Sequence, residues 1–108
     1  MRDGLYRVQF QTQRGMGTGV VYTQGGKMWG GDAALYYVGS YTQTGDKLTA
    51  NVMTDRHSQV AGIASVFGID KVTITLEGTV KGDTVTCNGK AAQAPGVTFQ
   101  ATLSRISD

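Results

Sequence analysis

The chain has 108 residues, which is enough for one domain over residues 1–108 and too few for enzyme barrels of about 250 residues. Hydrophobic residues make up 40% of it and charged residues 17%, which excludes a disordered chain, and no apolar run reaches the ~20 residues of a membrane-spanning helix. The net charge is +2, with Lys and Arg spread along the sequence, so we expect no direct nucleic-acid partner and no membrane partner.

The composition is typical of an all-β protein. Sixteen glycines and fourteen threonines stand beside a single proline. Threonine favours strands, and frequent glycine marks turns or close backbone approach. Apolar and polar residues alternate over residues 6–11, which predicts the first strand, and residues 16–24 predict the second. Gly17 and Gly19 leave one face of this strand without side chains, so we expect them to be structural positions beside a closely packed neighbour.

A glycine-rich segment separates the third strand from the fourth. Residues 27–29 predict a short third strand that ends at Gly30, Gly31 and Asp32. We expect these three residues to form a structural motif in which the Asp32 carboxylate caps a turn by accepting backbone N–H groups. The fourth strand then covers residues 35–42.

The period of the apolar residues changes after the fifth strand, which runs from residue 48 to about residue 56. Three apolar residues follow at helical spacing, with a serine before them and a glycine after them: Val60, Ile63 and Phe67. This spacing predicts one short helix over residues 58–67, between strands five and six, with these three side chains turned inward.

The rest of the chain returns to strands. Residues 72–77, 85–87 and 97–103 predict strands six to eight, whereas Asn88-Gly89 predicts a turn and residues 91–96 a loop. Eight short strands joined mostly by tight turns form a meander with two exposed edges. Because closure removes both edges, we expect an eight-stranded up-and-down barrel, with the short helix covering one mouth, rather than a sandwich.

The residue sets of common catalytic and metal sites are missing. His57 is the only histidine and Cys87 the only cysteine, so a triad must include His57 and no disulfide can form within the chain. No ligands have the spacing of a zinc site. We expect no enzyme activity, no cofactor and no metal. A barrel enzyme using Asp32 and His57 is the least favoured alternative.

Aromatic residues concentrate in the first half of the chain. They could line a ligand cavity, because an eight-stranded barrel can hold one small ligand. The alternative, which we favour from the sequence, is that they fill the interior. The candidate lumen residues are Tyr6, Phe10, Trp29, Tyr37 and Tyr41.

Four short motifs occur in order, namely Asp3-Gly4-Leu5-Tyr6, Gly17-Thr18-Gly19-Val20, Gly26-Lys27-Met28-Trp29-Gly30-Gly31-Asp32 and Tyr37-Val38-Gly39. This order resembles the GrlR-like family, which comprises negative regulators of type III secretion genes and uncharacterised relatives. The resemblance implies a small calycin-like, lipocalin-like barrel of eight strands with a short helix. It also implies a homodimer that sequesters a transcriptional activator by direct contact, without catalysis or DNA binding.

Two functions remain open from the sequence. The first is a non-enzymatic regulatory or protein-interaction module with a protein regulator as its partner, and the alternative is a small-ligand-binding β-barrel. The lone cysteine and the lack of an apolar leader before the first strand suggest a cytoplasmic protein. We also expect a homodimer, because Tyr36 and Val38 lie opposite Leu35, Tyr37 and Tyr41 on the fourth strand. One set must face outward, which makes Tyr36 and Val38 a candidate dimer face.

Overall fold

The computed structural model describes residues 1–108 and contains eight antiparallel strands. Their bounds are β1 (Gly4–Thr12), β2 (Gly15–Gln24), β3 (Lys27–Gly31), β4 (Leu35–Thr44), β5 (Lys47–Arg56), β6 (Val72–Lys81), β7 (Thr84–Ala91) and β8 (Ala94–Ser107). Each strand pairs with the next along the chain, and β1 also pairs with β8, so the sheet closes into an up-and-down barrel. The expected all-β, eight-stranded barrel is confirmed.

Alternation along each strand sorts the side chains between the interior and the outer face. In β4, Leu35 and Tyr37 are buried inside, whereas Tyr36 and Val38 point outward. The same alternation runs through β5 and β6. Burial of a large apolar side chain contributes about 1.5–3 kcal/mol, so a one-residue shift in register would turn the whole inner set toward solvent.

Gly17 and Gly19 lie on the inner face of β2, where two aromatic rings occupy the space beside them. A Cβ on Gly17 would lie 2.8 Å from the ring of Phe10. A Cβ on Gly19 would lie 2.8 Å from the hydroxyl oxygen of Tyr37 and 2.8 Å from the main-chain oxygen of Gly31. The neighbours that these glycines accommodate are therefore aromatic side chains and the backbone of β3.

The dipeptide Asn88-Gly89 lies inside β7 and forms no turn, so that prediction is wrong. Gly89 pairs with Leu76 on β6 and with Phe99 on β8. A Cβ on Gly89 would lie 2.5 Å from Cδ2 of Leu76, so this glycine makes room for a neighbouring side chain. The chain turns instead at residues 92–93, and Pro95, expected in a loop, belongs to the start of β8.

No helix forms between β5 and β6, so the expected helix over residues 58–67 is wrong. Residues 57–71 form an irregular loop, called the cap loop below. Gly62 and Gly68 have φ angles of +83° and +76°, which a right-handed helix does not contain. The N–H of Gly68 bonds to the carbonyl of Ser65 at 3.0 Å, which closes an isolated turn. The structure has no helix long and apolar enough to cross a membrane.

Only one of the three apolar residues at helical spacing points inward. Val60 and Ile63 are 37% and 38% exposed, whereas Phe67 is 3% exposed. The ring of Phe67 stacks on that of Phe99, with centroids 5.3 Å apart. One mouth of the barrel is thus covered by an inserted ring and the loop around it, not by one face of a helix.

Polar contacts fasten the cap loop to the barrel. Arg56 donates from Nε and Nη2 to the two carboxylate oxygens of Asp70, both at 2.9 Å. These bonds from Arg56 hold the pKa of the Asp70 carboxyl below its ordinary value. The Thr54 hydroxyl donates to the main-chain oxygen of Asp70 at 2.9 Å, and the Thr12 hydroxyl donates to that of Val66 at 2.5 Å. The loop is therefore held to both β1 and β5.

Substitution of either inner-face glycine should destabilise the barrel. We expect Gly17→Val and Gly19→Val each to lower the free energy of unfolding by about 3 kcal/mol, because the added atoms displace an aromatic ring or the backbone. Gly96→Val is the matched control, since no atom lies within 4 Å of a Cβ at Gly96. Chemical denaturation measures all three, and wild-type midpoints for both inner-face variants would contradict the assignment.

Removal of the Phe67 ring should cost more stability than trimming an exposed residue of the same loop. We expect Phe67→Ala to lower the free energy of unfolding by about 3 kcal/mol, the usual cost of deleting a buried ring. Val60→Ala is the control and should stay within about 0.5 kcal/mol of the wild type, as at most surface positions. Thermal and denaturant unfolding give both values, and equal losses for the two variants would refute a buried Phe67.

Candidate functional site

The barrel encloses a cavity of about 420 Å³. All eight strands and the cap loop contribute to its walls, which are mainly hydrophobic. Small-molecule sites in proteins have volumes of about 300–1,000 Å³, so this cavity has the size of a ligand site. The interior is hollow, which differs from the filled interior that we favoured from the sequence.

Small side chains on the inner face leave this space. Ala50, Cys87 and Ala101, from three different strands, all line the cavity. In other barrels of eight strands, larger inward residues can fill the same volume. Burial raises the pKa of the Cys87 thiol to about 11, so the thiol is neutral at pH 7 and forms part of the apolar wall.

The five candidate lumen residues occupy three different environments. Phe10 and Tyr37 line the cavity, and their rings meet edge to face with centroids 6.2 Å apart. Tyr6 is fully buried beyond the cavity wall, where its hydroxyl donates to the main-chain oxygen of Arg2 at 2.6 Å. Tyr41 is partly buried against the core without lining the cavity. Trp29 is 46% exposed on the outer face, so it is not a lumen residue.

Asp32 caps the turn between β3 and β4 and also reaches the cavity. Its Oδ1 accepts the N–H groups of Ala34 at 2.9 Å and Leu35 at 2.8 Å. Its Oδ2 accepts the hydroxyl of Tyr37. Burial, followed by the bond to Asp32 and its negative charge, raises the pKa of Tyr37 far above its ordinary value. The pair therefore places a carboxylate and a neutral phenol side by side on the cavity wall.

His57 lies beside Asp32, but its ring contacts the backbone. Its Nε2–H donates to the main-chain oxygen of Asp32 at 3.0 Å, and its own N–H donates to the carbonyl of Ala34 at 2.8 Å. The Asp32 carboxylate is occupied by the two backbone N–H groups and the Tyr37 hydroxyl instead. No group of three or more His, Cys, Asp or Glu side chains is arranged to hold a metal ion.

The cavity reaches the surface at one side of the barrel, below the cap loop. β3 pairs with residues 20–24 of β2, so the first half of β2 pairs only with β1. The residues that line the cavity and are also exposed surround this gap: Met16, Thr18, Ala33, Gly62, Ile63 and Ala64. Asp32 also lines the cavity, and it lies next to Ala33 beside this gap.

A row of apolar side chains crosses the outside of the barrel. Tyr22 pairs with Trp29, which pairs with Val38, and all three are exposed. Val20, which is exposed, and Tyr36, which is partly exposed, belong to the neighbouring row. These five residues are called the outer apolar face below, and none of them carries a charge.

Sequence reasoning missed several of these positions. It did not single out Val20 and Tyr22, although the alternation that turns Gly19 inward also turns them outward. It also missed Ala50 and Ala101, whose small size leaves the cavity open. Small apolar residues on inner strand positions were the available signal for a hollow barrel.

Comparisons with known proteins add no relatives to this description. No protein-family model matches the chain, and no curated protein matches it at a significant level.

Proposed function

We propose that this protein binds a small apolar molecule inside the barrel, without catalysing a reaction on it. The observation that carries this proposal is the cavity of about 420 Å³ with mainly hydrophobic walls. Apolar walls offer water few hydrogen-bond partners, so an apolar ligand gains by displacing it. Each methylene group of a ligand that moves out of water contributes about 0.8 kcal/mol to the free energy of binding. An alkyl ligand of medium length therefore gains enough free energy for its affinity to be measured.

The cap loop supports the same function. Its Phe67 ring covers one mouth of the barrel, while the exposed residues Gly62, Ile63 and Ala64 stand beside the open side of the cavity. A cover of this kind shields a bound molecule from water, and an irregular loop can move without disrupting the pairing of the strands. The barrel walls would surround the ligand, and the cap loop would cover it at one mouth of the barrel.

Filling the cavity should abolish this binding. We expect the neutral fluorescent dye Nile red to bind the wild-type chain and to gain fluorescence, because the dye enters an apolar environment. Ala50→Leu places a larger side chain in the cavity and should weaken dye binding by about tenfold or more. The leucine takes up space that the dye needs, and the packed walls cannot move apart without a cost in free energy. Fluorescence titration measures both affinities.

Asn51→Leu is the matched control for this test, because it adds a leucine to the exposed outer face of the same strand. It should leave dye binding unchanged. If Ala50→Leu binds the dye as tightly as Asn51→Leu does, the dye is bound elsewhere and the proposed cavity function is wrong.

We propose, as a second candidate, a protein-interaction role through the outer apolar face. The supporting observation is the uncharged row formed by Tyr22, Trp29 and Val38 on three neighbouring strands. Large exposed apolar patches are uncommon on monomers, and two-fold pairing of identical patches is the commonest assembly. A second copy of this chain is the partner that we propose. We also propose a protein regulator as a partner and a calycin-like, GrlR-like relationship, which the sequence motifs support, and a cytoplasmic location, which the single cysteine supports.

Negative charge on the outer apolar face should separate the two copies. We expect light scattering to give twice the chain mass of 11.4 kDa for the wild type. Tyr36→Glu or Val38→Glu should return the mass to that of one chain, because each buries a carboxylate in an interface of about 800 Å² per subunit. Thr86→Glu, on the exposed side of β7, is the control and should leave the dimer intact. A wild-type mass near 11.4 kDa would rule out the dimer.

A further inference from the structure

Only one of the side chains that line the cavity belongs to a charged residue type, and that residue is Asp32. No Lys, Arg or His side chain lines the cavity, and its titratable side chains are those of Asp32, Tyr37 and Cys87. Met1 also lines it, but its N-terminal ammonium donates to Gln43 near the end of β4 that is far from Asp32. Burial keeps the Cys87 thiol neutral at pH 7, since its pKa is raised to about 11. The phenol of Tyr37 is also neutral, because burial and the adjacent Asp32 raise its pKa. Asp32 is therefore the one carboxylate on the cavity wall.

The hydrogen bonds of the Asp32–Tyr37 pair leave acceptors, and no donors, for a ligand. The Tyr37 hydroxyl donates its only hydrogen to a hydrogen bond with Oδ2 of Asp32. Both backbone N–H groups of the turn are directed at Oδ1. A carboxylate offers about four acceptor positions and a phenol oxygen also accepts, so both groups retain lone pairs. Any polar end of a ligand that reaches this pair must bring its own hydrogen.

The charge of the ligand is constrained by the same pair. An anionic end placed beside Asp32 meets a like charge in a largely apolar cavity. The nearest cation that interacts with Asp32 is Arg56, but its guanidinium is bound to both carboxylate oxygens of Asp70 and does not line the cavity. A hydroxyl or an ammonium group instead donates to an oxygen that is already fixed in place by the turn. Apolar contact with the remaining walls then holds the rest of the molecule.

We propose that the cavity selects apolar molecules whose single polar end donates a hydrogen bond and carries no negative charge, as in primary alcohols and amines, and that it rejects carboxylates. This inference rests on the proposed binding function and names the chemical class of its ligand. Asp32 and Tyr37 receive the donor at the mouth, and the apolar tail extends toward the small inward residues Ala50 and Ala101.

The test compares ligands of equal chain length on the full chain at pH 7. Displacement of bound Nile red by 1-octanol, octylamine and octanoate reports the three affinities. We expect octanol and octylamine to bind at least about tenfold more tightly than octanoate, because juxtaposed like charges oppose binding. Octanoate that binds as tightly as octanol would overturn the selectivity while leaving the cavity function in place. Failure of Nile red and all three ligands to bind would instead overturn the cavity function itself.

Variants of the pair locate the selectivity. Asp32→Asn removes the charge and keeps an oxygen for the N–H groups of Ala34 and Leu35, so the disadvantage of octanoate should largely disappear. Asp46→Asn makes the same charge change in the exposed turn between β4 and β5, at the opposite end of the barrel, and should leave the selectivity unchanged. Equal effects of the two variants would show that net charge, not the pair, sets the preference.

A second variant keeps the test decisive if circular dichroism shows that Asp32→Asn is unfolded. Tyr37→Phe removes the phenol oxygen, frees the lone pair of Oδ2 that its hydroxyl occupied and retains the carboxylate, so octanol should still bind more tightly than octanoate. A folded Tyr37→Phe chain that binds octanoate as tightly as octanol would contradict the role of Asp32.

Discussion

The pairing of β1 with β8 gives every strand two neighbours, and it also fixes how wide the interior can be. A closed sheet of eight strands has room for a layer of inward side chains and little else. The size of those side chains then decides whether the barrel is solid or hollow. Here Ala50, Cys87 and Ala101 face inward at positions where larger residues would fill the interior, and a cavity results. The closed sheet forms the walls of the cavity, and a few small inward residues leave its interior unfilled.

One packed row of rings joins the two functional parts of the cavity. Tyr37 meets Phe10 edge to face, Phe10 stacks on Phe99 at 6.0 Å, and Phe99 stacks on Phe67 at 5.3 Å. The row begins at the hydrogen bond to Asp32 and ends in the cap loop. Because packed rings leave little free volume between them, the position of the loop and that of the Tyr37 hydroxyl are set together.

The sequence predicted the strands well because burial on one face imposes a period of two, and that period is visible in residues such as Leu35 to Val38. The cap loop was mistaken for a helix because spacing alone does not report backbone conformation. Gly62 and Gly68 adopt positive φ angles there, and Val60 and Ile63 are exposed, whereas Phe67 is buried.

The candidate site was less accessible to sequence reasoning. Trp29 was grouped with lumen residues by its type, although its neighbour Met28 takes the inward position on β3. Asp32 could be expected to cap a turn, but its bond to Tyr37 and its place at the cavity mouth depend on how β3 and β4 meet. The volume of the cavity depends on which residues face each other across the barrel. That arrangement is set by the register between strands that are distant in the sequence, and a local sequence pattern does not determine this register.

The Arg56–Asp70 ion pair stands at the base of the cap loop and ties its two ends together. A loop closed at its base has fewer extended conformations to explore, which lowers the entropic cost of holding it over the barrel mouth. The middle of the loop is held separately, by the stacking of Phe67 on Phe99 and by the hydrogen bond from Thr12 to Val66. Part of this ion pair is exposed, and dissolved salt screens exposed charges. Added salt should therefore weaken the contact at the base of the loop while leaving the buried Phe67 ring in place.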